Sequence, residues 1–200
     1  MNTPALILAA GKGSRMGTPK ALMMCADRPW WEIQATRLRE AGITARWVVS
    51  PEVLARLDSG VIGPGDLIKS DSSLPMFASV RTGIDSFRAS PPDGVYILPI
   101  DVPASRQGAL WRSLRGAPAP VAPLFEGKKG HPIYVPWTWI TSTFDPAVAA
   151  AKKPNQLRLD ELLRPSLLEI SVNDPVVACN LNTPDDLRRF LESPTSGLSA

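Results

Sequence analysis

Histidine and cysteine are almost missing from this chain. Among its 200 residues there is one His, His131, and two Cys, Cys25 and Cys179. Two cysteines cannot build a disulfide scaffold and form no metal-ligand spacing, so both are expected as free thiols without a catalytic role. A single histidine excludes a His-rich metal site. No apolar run approaches the roughly 20 residues needed to cross a bilayer. The run from Ala5 to Ala10 is short, lacks a basic flank, and leads into Gly11-Lys12-Gly13 rather than a cleavage site. Basic blocks are also absent: 22 Lys and Arg against 19 Asp and Glu leave a net charge of only +3, spread along the chain. That excludes the basic stripe of a nucleic-acid binder. Internal repeats are absent too.

What is present is ordinary for a globular protein, with 44% hydrophobic and 20% charged residues, which excludes disorder for most of the chain. Glycine (14) and proline (21) exceed their usual combined share of about 12% and predict many turns. The expectation is a soluble, cytoplasmic protein with one domain over 1–192 and a small, polar, frayed tail over 193–200. Oligomerisation is left open.

Residues 4–9 read as a buried strand, continuously apolar and followed by turn residues. Trp30, Ile33, Leu38 and Ala41 share one face of a helix over 30–41 that Gly42 stops. Strands are expected at 46–50, around Leu67-Ile68 and at 95–100, and helices at 52–57, 76–88 and around 105–115. Strand, loop and helix thus alternate through the first 115 residues, which argues for an open parallel α/β sheet. Strands at 121–125, 132–135 and 168–172, and helices near 137–144 and 156–164, are expected to follow. Thr183-Pro184-Asp185-Asp186 is a helix start, with Thr as cap, Pro at the first position and acids in the first turn.

The most informative stretch is Leu8-Ala9-Ala10-Gly11-Lys12-Gly13-Ser14-Arg15-Met16-Gly17-Thr18-Pro19-Lys20. It follows the first strand directly, and strand ends of open parallel sheets are where ligands bind. Glycines let backbone N–H groups approach a polyphosphate closely, and Arg15 and Lys20 add positive charge. The spacing is neither a Walker A loop nor a Rossmann fingerprint. A plain flexible loop is the bland alternative. A second candidate is Asp101, which ends the strand Leu98-Pro99-Ile100 and precedes Val102-Pro103. Mg²⁺ takes hard oxygens, usually one or two carboxylates with phosphate and water, although a turn Asp could simply cap the next helix.

The first loop resembles the signature loop of nucleotidyltransferases with a GT-A-like fold, and the chain is similar to the MobA-like NTP transferases, which include the molybdenum cofactor cytidylyltransferases and guanylyltransferases. The resemblance implies an α/β, Rossmann-like fold with a mixed, mostly parallel sheet flanked by helices. It implies Mg²⁺-dependent transfer of NMP from CTP or GTP to a phosphorylated acceptor, with molybdopterin the foremost acceptor and pyrophosphate released. Arg15, Lys20 and Asp101 would be catalytic, Asp101 holding Mg²⁺. Leu8, Ala9, Ala10, Gly11, Gly13, Arg15, Lys20 and Ser79 would bind the nucleotide.

Arg81, His131, Asn180 and Asn182 would bind substrate, and the side-chain oxygen of Asn180 or Asn182 could instead help Asp101 hold Mg²⁺. His131, in Lys129-Gly130-His131-Pro132, resembles the acceptor loop of cytidylyltransferase-like members. Asn180-Leu181-Asn182-Thr183-Pro184 resembles the guanylyltransferase ending. Two stretches depart from the family pattern. Pro75-Met76-Phe77 replaces a Gly-Met-Ser-like start, and Lys152-Lys153-Pro154-Asn155-Gln156-Leu157-Arg158 replaces an acidic, Gly-rich segment. Six Trp residues also exceed the family's habit, with core packing or a subunit contact as their plain reading. A sugar-phosphate or other small phospho-acceptor transferase, and a nucleotide-binding regulator without catalysis, remain alternatives.

Overall fold

The computed structural model describes residues 3–13, 17–25, 27–57 and 60–196. The chain opens with β1 (Ala5–Ala9), whose five apolar residues are all buried. A small hairpin, β2 (Met24–Cys25) and β3 (Arg28–Pro29), leads into α1 (Trp30–Glu40), and Gly42 at φ +71° ends that helix. Next come β4 (Ala45–Val49), α2 (Pro51–Leu54), β5 (Leu67–Lys69) and α3 (Met76–Asp85). The chain continues through β6 (Gly94–Pro99), α4 (Gly108–Leu114), β7 (Val121–Phe125), β8 (Lys128–Lys129) and β9 (Ile133–Pro136). It finishes with α5 (Trp137–Trp139), α6 (Asp145–Ala150), α7 (Leu159–Leu163), β10 (Leu168–Ser171) and α8 (Pro184–Glu192).

The main sheet runs in the order β10-β7-β9-β6-β1-β4-β5, with β8 paired to β7. β1 is parallel to both neighbours, β4 and β6. Only β8 and β9 run against the rest. This is the expected mixed, mostly parallel sheet. Because side chains alternate along a strand, β1 feeds two cores. Ala5, Ile7 and Ala9 join α1, α4 and α8 on one face. Leu6, Leu8 and Ala10 join Phe77, Val80 and Ile84 of α3, with Phe144, on the other. Trp30, Trp31, Trp47, Trp111 and Trp139 are all buried, so core packing accounts for most of the tryptophan.

Three local expectations are corrected. The helix predicted to stop near 144 continues to Ala150 through a wide π turn at Ile140–Phe144. Pro146 sits just after this π turn, where the helix widens; such irregular turns are where a helix accommodates a proline. The helix expected over 156–164 divides into a 3-10 turn, Pro154–Gln156, and α7. The tail is not frayed at its start: Pro194–Ser196 forms a 3-10 turn and Ser196 is buried. Arg37, itself buried in α1, holds it by donating to the carbonyls of Ser196 (2.7 Å) and Thr195 (3.3 Å). Residues 197–200 lie outside the described residues. Among the described residues no helix is long and apolar enough to cross a membrane.

Candidate active site

After β1 the chain builds β4 and β5 on one side and then crosses to β6 on the other. The carboxyl ends of β1 and β6 therefore flank the point where strand order reverses, the usual ligand crevice of open α/β sheets. The Ile100 amide donates to the Leu8 carbonyl (3.1 Å) and ties the two strand ends together.

The glycine-rich loop leaves β1 here and doubles back on itself. Gly13 has φ +62°, and a Cβ there would lie 1.9 Å from the Thr18 carbonyl oxygen. Both the left-handed backbone and the contact demand glycine. Ser14, Arg15 and Met16 lie outside the described residues, so the triphosphate role of Arg15 stays a proposal. Leu8, Ala10, Gly11, Gly13, Lys20, Ser79 and Asp101 line a cavity of about 230 Å³ together with Ser72, Leu74, Met76, Pro99 and Ile100. Ala9 is not part of that lining, because its side chain alternates into the opposite core. Ser79 is buried and shares a hydrogen bond with the hydroxyl of Ser70 (3.1 Å).

We expect Gly13→Ala to lower kcat/KM for NTP by about 100-fold, the scale of a displaced binding loop. The melting temperature should also fall, by a few degrees, because an alanine here is strained and its Cβ has to push the Thr18 backbone away. Steady-state kinetics beside a thermal melt checks this.

Lys20, Asp101 and Asn182 meet at the edge of the cavity. Lys20 Nζ lies 2.7 Å from Asp101 Oδ2 and 2.8 Å from Asn182 Oδ1, with the Lys20 and Asp101 side chains only 18% and 24% exposed. Lys20 starts a 3-10 turn whose preceding residue is Pro19. Asn182 arrives because the neighbouring Leu181 amide donates to the Asp101 carbonyl (2.8 Å). The Asp186 carboxylate then accepts from the amides of Asn182 (3.2 Å) and Thr183 (2.9 Å), completing the capping box of α8. Asn180 is exposed, and its carbonyl accepts from the Asn182 amide (3.1 Å). Of the two candidate asparagines, the cluster contains Asn182. Lys20, expected beside the triphosphate, here binds Asp101 directly.

Two hard oxygens, one anionic, thus converge on a single cationic point. That donor set fits Mg²⁺ or Mn²⁺, which takes a few protein oxygens and completes its shell with phosphate and water. Among the described residues no three His, Cys, Asp or Glu side chains gather to hold a metal ion, so a tight all-protein cage is not built.

A larger cavity, about 1090 Å³, shares Met76 and Pro99 with the first. His131 lies in its wall. A Cβ on Gly130 would lie 2.2 Å from the Val177 carbonyl oxygen, so glycine lets this loop press against the segment leading to Asn182. His131 Nδ1 is shut off from solvent and, among the described residues, has no hydrogen-bond partner. Burial holds the imidazole below its ordinary pKa, while a backbone hydrogen bond at Ile97 and the Asp101 charge work the other way. A neutral His131 adds no charge to the cavity. Arg81, on α3, lines neither cavity.

Both cysteines are free. Burial pushes the Cys25 thiol up to about 11 and raises Cys179 as well, which keeps both as poor nucleophiles at neutral pH. A Cys25→Ala/Cys179→Ala variant is expected to keep wild-type turnover, as pyrophosphate release will report, and folded protein should be alkylated slowly at pH 7.

Periodicity assigned Trp30 to the core and passed over Gln34. Both turn out to be hydrogen-bonded to the loop that carries Asp101. The available signal was a polar residue one helical turn after Trp30, on the apolar face of α1.

A family model for the MobA-like NTP transferase domain matches residues 5–166. No curated protein sequence matches the chain. Among solved structures it is similar to Rv0371c from Mycobacterium tuberculosis, with 22% identity, a TM-score of 0.72, and coverage of 96% of this chain and 100% of that one. A manganese complex of the same protein matches with 18% identity, a TM-score of 0.69 and the same coverage. The molybdopterin-guanine dinucleotide biosynthesis protein A of Archaeoglobus fulgidus has 16% identity and a TM-score of 0.65 over 94% of this chain and 96% of its own. CTP:phosphocholine cytidylyltransferase from Streptococcus pneumoniae has 16% identity and a TM-score of 0.66 over 96% and 99%. At such identities these are likenesses of fold. The family match ends before Asn182, whose place beside Asp101 rests on geometry alone. Running from β1 to just beyond α7, it takes in the loop and the carboxylate together, and the chain belongs to the MobA-like NTP transferase domain family: it is a nucleotidyltransferase.

Proposed function

We propose that this enzyme moves NMP from an NTP to a phosphorylated small-molecule acceptor and releases pyrophosphate. The observation that carries this reading is the pair of adjoining cavities. The smaller, at the glycine-rich loop, has the size and cationic edge suited to a triphosphate, and the larger opens beside it past Met76 and Pro99. An acceptor phosphate oxygen would attack the α-phosphorus in line. That oxygen is already ionised, so no general base is needed, consistent with a neutral His131. The residues would act by positioning and by charge. The amides of 10–13 and Lys20 would hold the phosphates, with Arg15 added from the same loop. Asp101 and Asn182 would hold Mg²⁺, which when bound neutralises developing phosphate charge.

Molybdopterin is the acceptor that the family resemblance favours. Gly130-His131-Pro132 favours CTP, and the Asn180/Asn182 ending favours GTP. One observation supports a second reading, a different small phospho-acceptor. Both stretches that depart from the family pattern lie in the larger cavity, through Pro75 and Phe77 on one wall and Gln156, Leu157 and Arg158 on another. The test is pyrophosphate release from each NTP with molybdopterin and with a panel of sugar phosphates and phosphorylated amino alcohols. Turnover with molybdopterin supports the first reading, and turnover only with another acceptor supports the second. Tight NTP binding without turnover for any acceptor would favour a regulator.

A further inference from the structure

The loop carrying Asp101 is irregular and deeply buried: Val102 is 3% exposed and Ala104 fully enclosed. Its backbone groups cannot use water and must find partners in the protein. Two come from the adjoining strand end and loop: Val102 N donates to the Pro99 carbonyl (3.1 Å), and the Asp101 carbonyl accepts from Leu181 N. Several more come from side chains of α1. Trp30, 1% exposed, donates its indole N–H to the Ile100 carbonyl (2.7 Å). Gln34, also 1% exposed, lies one turn later on the same face. Its amide nitrogen donates to the Val102 carbonyl (2.8 Å) and at longer range to Ile100 (3.3 Å). Its Oε1 accepts from the Ala104 amide (2.8 Å). The held carbonyls are those of the residues immediately before and after Asp101.

We propose that Trp30 and Gln34 are positioning residues that clamp the backbone on both sides of Asp101 and so set the affinity of the site for a divalent cation. This rests on the reading of Asp101 as the metal ligand. Apolar side chains at both positions could fill the same face, as Ile33 and Leu38 do on the same helix, but would leave the Ile100 and Val102 carbonyls and the Ala104 amide without these partners. A carboxylate can hold a cation tightly only while its orientation is restricted, and groups behind metal ligands supply that restriction. The sequence places the two donors at i and i+4, the spacing that puts side chains on one helix face.

The test compares the full chain with Gln34→Met, which keeps length and bulk, and Trp30→Phe, which keeps a ring but loses the N–H. Mn²⁺ binding is followed by electron paramagnetic resonance with a non-hydrolysable NTP analogue present. Half-saturating Mg²⁺ for pyrophosphate release and melting temperature are measured alongside. We expect Gln34→Met to weaken Mn²⁺ binding by about tenfold or more, with turnover recovering at high Mg²⁺, and Trp30→Phe to shift both in the same direction by less. Wild-type Mn²⁺ binding in the folded variants, whatever their melting temperatures, would reduce both residues to core packing and overturn the proposal. If Gln34→Met does not fold, Trp30→Phe decides by the same criterion. Asp101→Asn separates the two claims. If it binds Mn²⁺ like wild type, the metal assignment itself fails. If it loses binding while the folded clamp variants do not, only the clamp fails.

Discussion

Asp101→Asn is expected to lower turnover by about 100-fold or more while the protein melts within a few degrees of wild type. The substitution keeps the side-chain volume but removes the anionic oxygen, and preorganised charge at a phosphoryl-transfer centre is worth that much or more. The fold should tolerate it for two reasons. The Asp101 backbone carbonyl, which anchors Leu181, is unaffected. The Lys20 ammonium, although mostly buried, keeps its contact with Asn182 Oδ1 (2.8 Å) and can still meet the neutral Asn oxygen, so the loss should stay at about 1–2 kcal/mol. The measurement is Mg²⁺-dependent pyrophosphate release at saturating NTP beside a thermal melt. Wild-type turnover with wild-type metal dependence would remove Asp101 from the site.

Lys20→Ala should bind NTP moderately less well and turn over about 100-fold more slowly. Two roles compete for this ammonium. It could serve the transition state, where charge grows as pyrophosphate leaves, or it could merely neutralise Asp101 until nucleotide and metal arrive. The 2.7 Å and 2.8 Å contacts to Asp101 and Asn182 fit either role, and kinetics separates them. A group that gains most in the transition state shows its loss in kcat as well as KM. A group that only neutralises Asp101 would, once removed, leave kcat intact and let metal saturate at lower concentration. We expect the first result, because Lys20 lines the smaller cavity itself. An unchanged kcat at saturating NTP would overturn the catalytic role. A solvated surface lysine, for which neither parameter would move, is already hard to reconcile with a side chain only 18% exposed.

Much of the architecture was legible in the chain because its causes are local. Five consecutive buried apolar residues make β1 a central strand. Thr183, Pro184 and Asp186 sit within one turn and cap α8 wherever that helix lies. Gly13 and Gly17 take positive φ, a backbone habit that needs no distant partner. Asp101 could be found because it follows a strand, and strand ends in parallel sheets gather on one edge.

Other features depend on residues far apart in sequence, and only the tertiary structure decided them. Lys20 and Asn182 are 162 positions apart and meet because Leu181 hydrogen-bonds to the Asp101 loop. Choosing Asn182 over Asn180 required that contact, since both asparagines look alike in a motif. Gln34 reads as a polar blemish on an apolar stripe until the irregular loop beneath it is seen to need a donor and an acceptor. Ser193 to Ser196 reads as a polar tail until Arg37, buried in α1, is found holding its carbonyls. Periodicity and turn chemistry act over a few residues and survive in any context. A buried backbone group takes whichever partner the packing brings, and no local pattern records which one that will be.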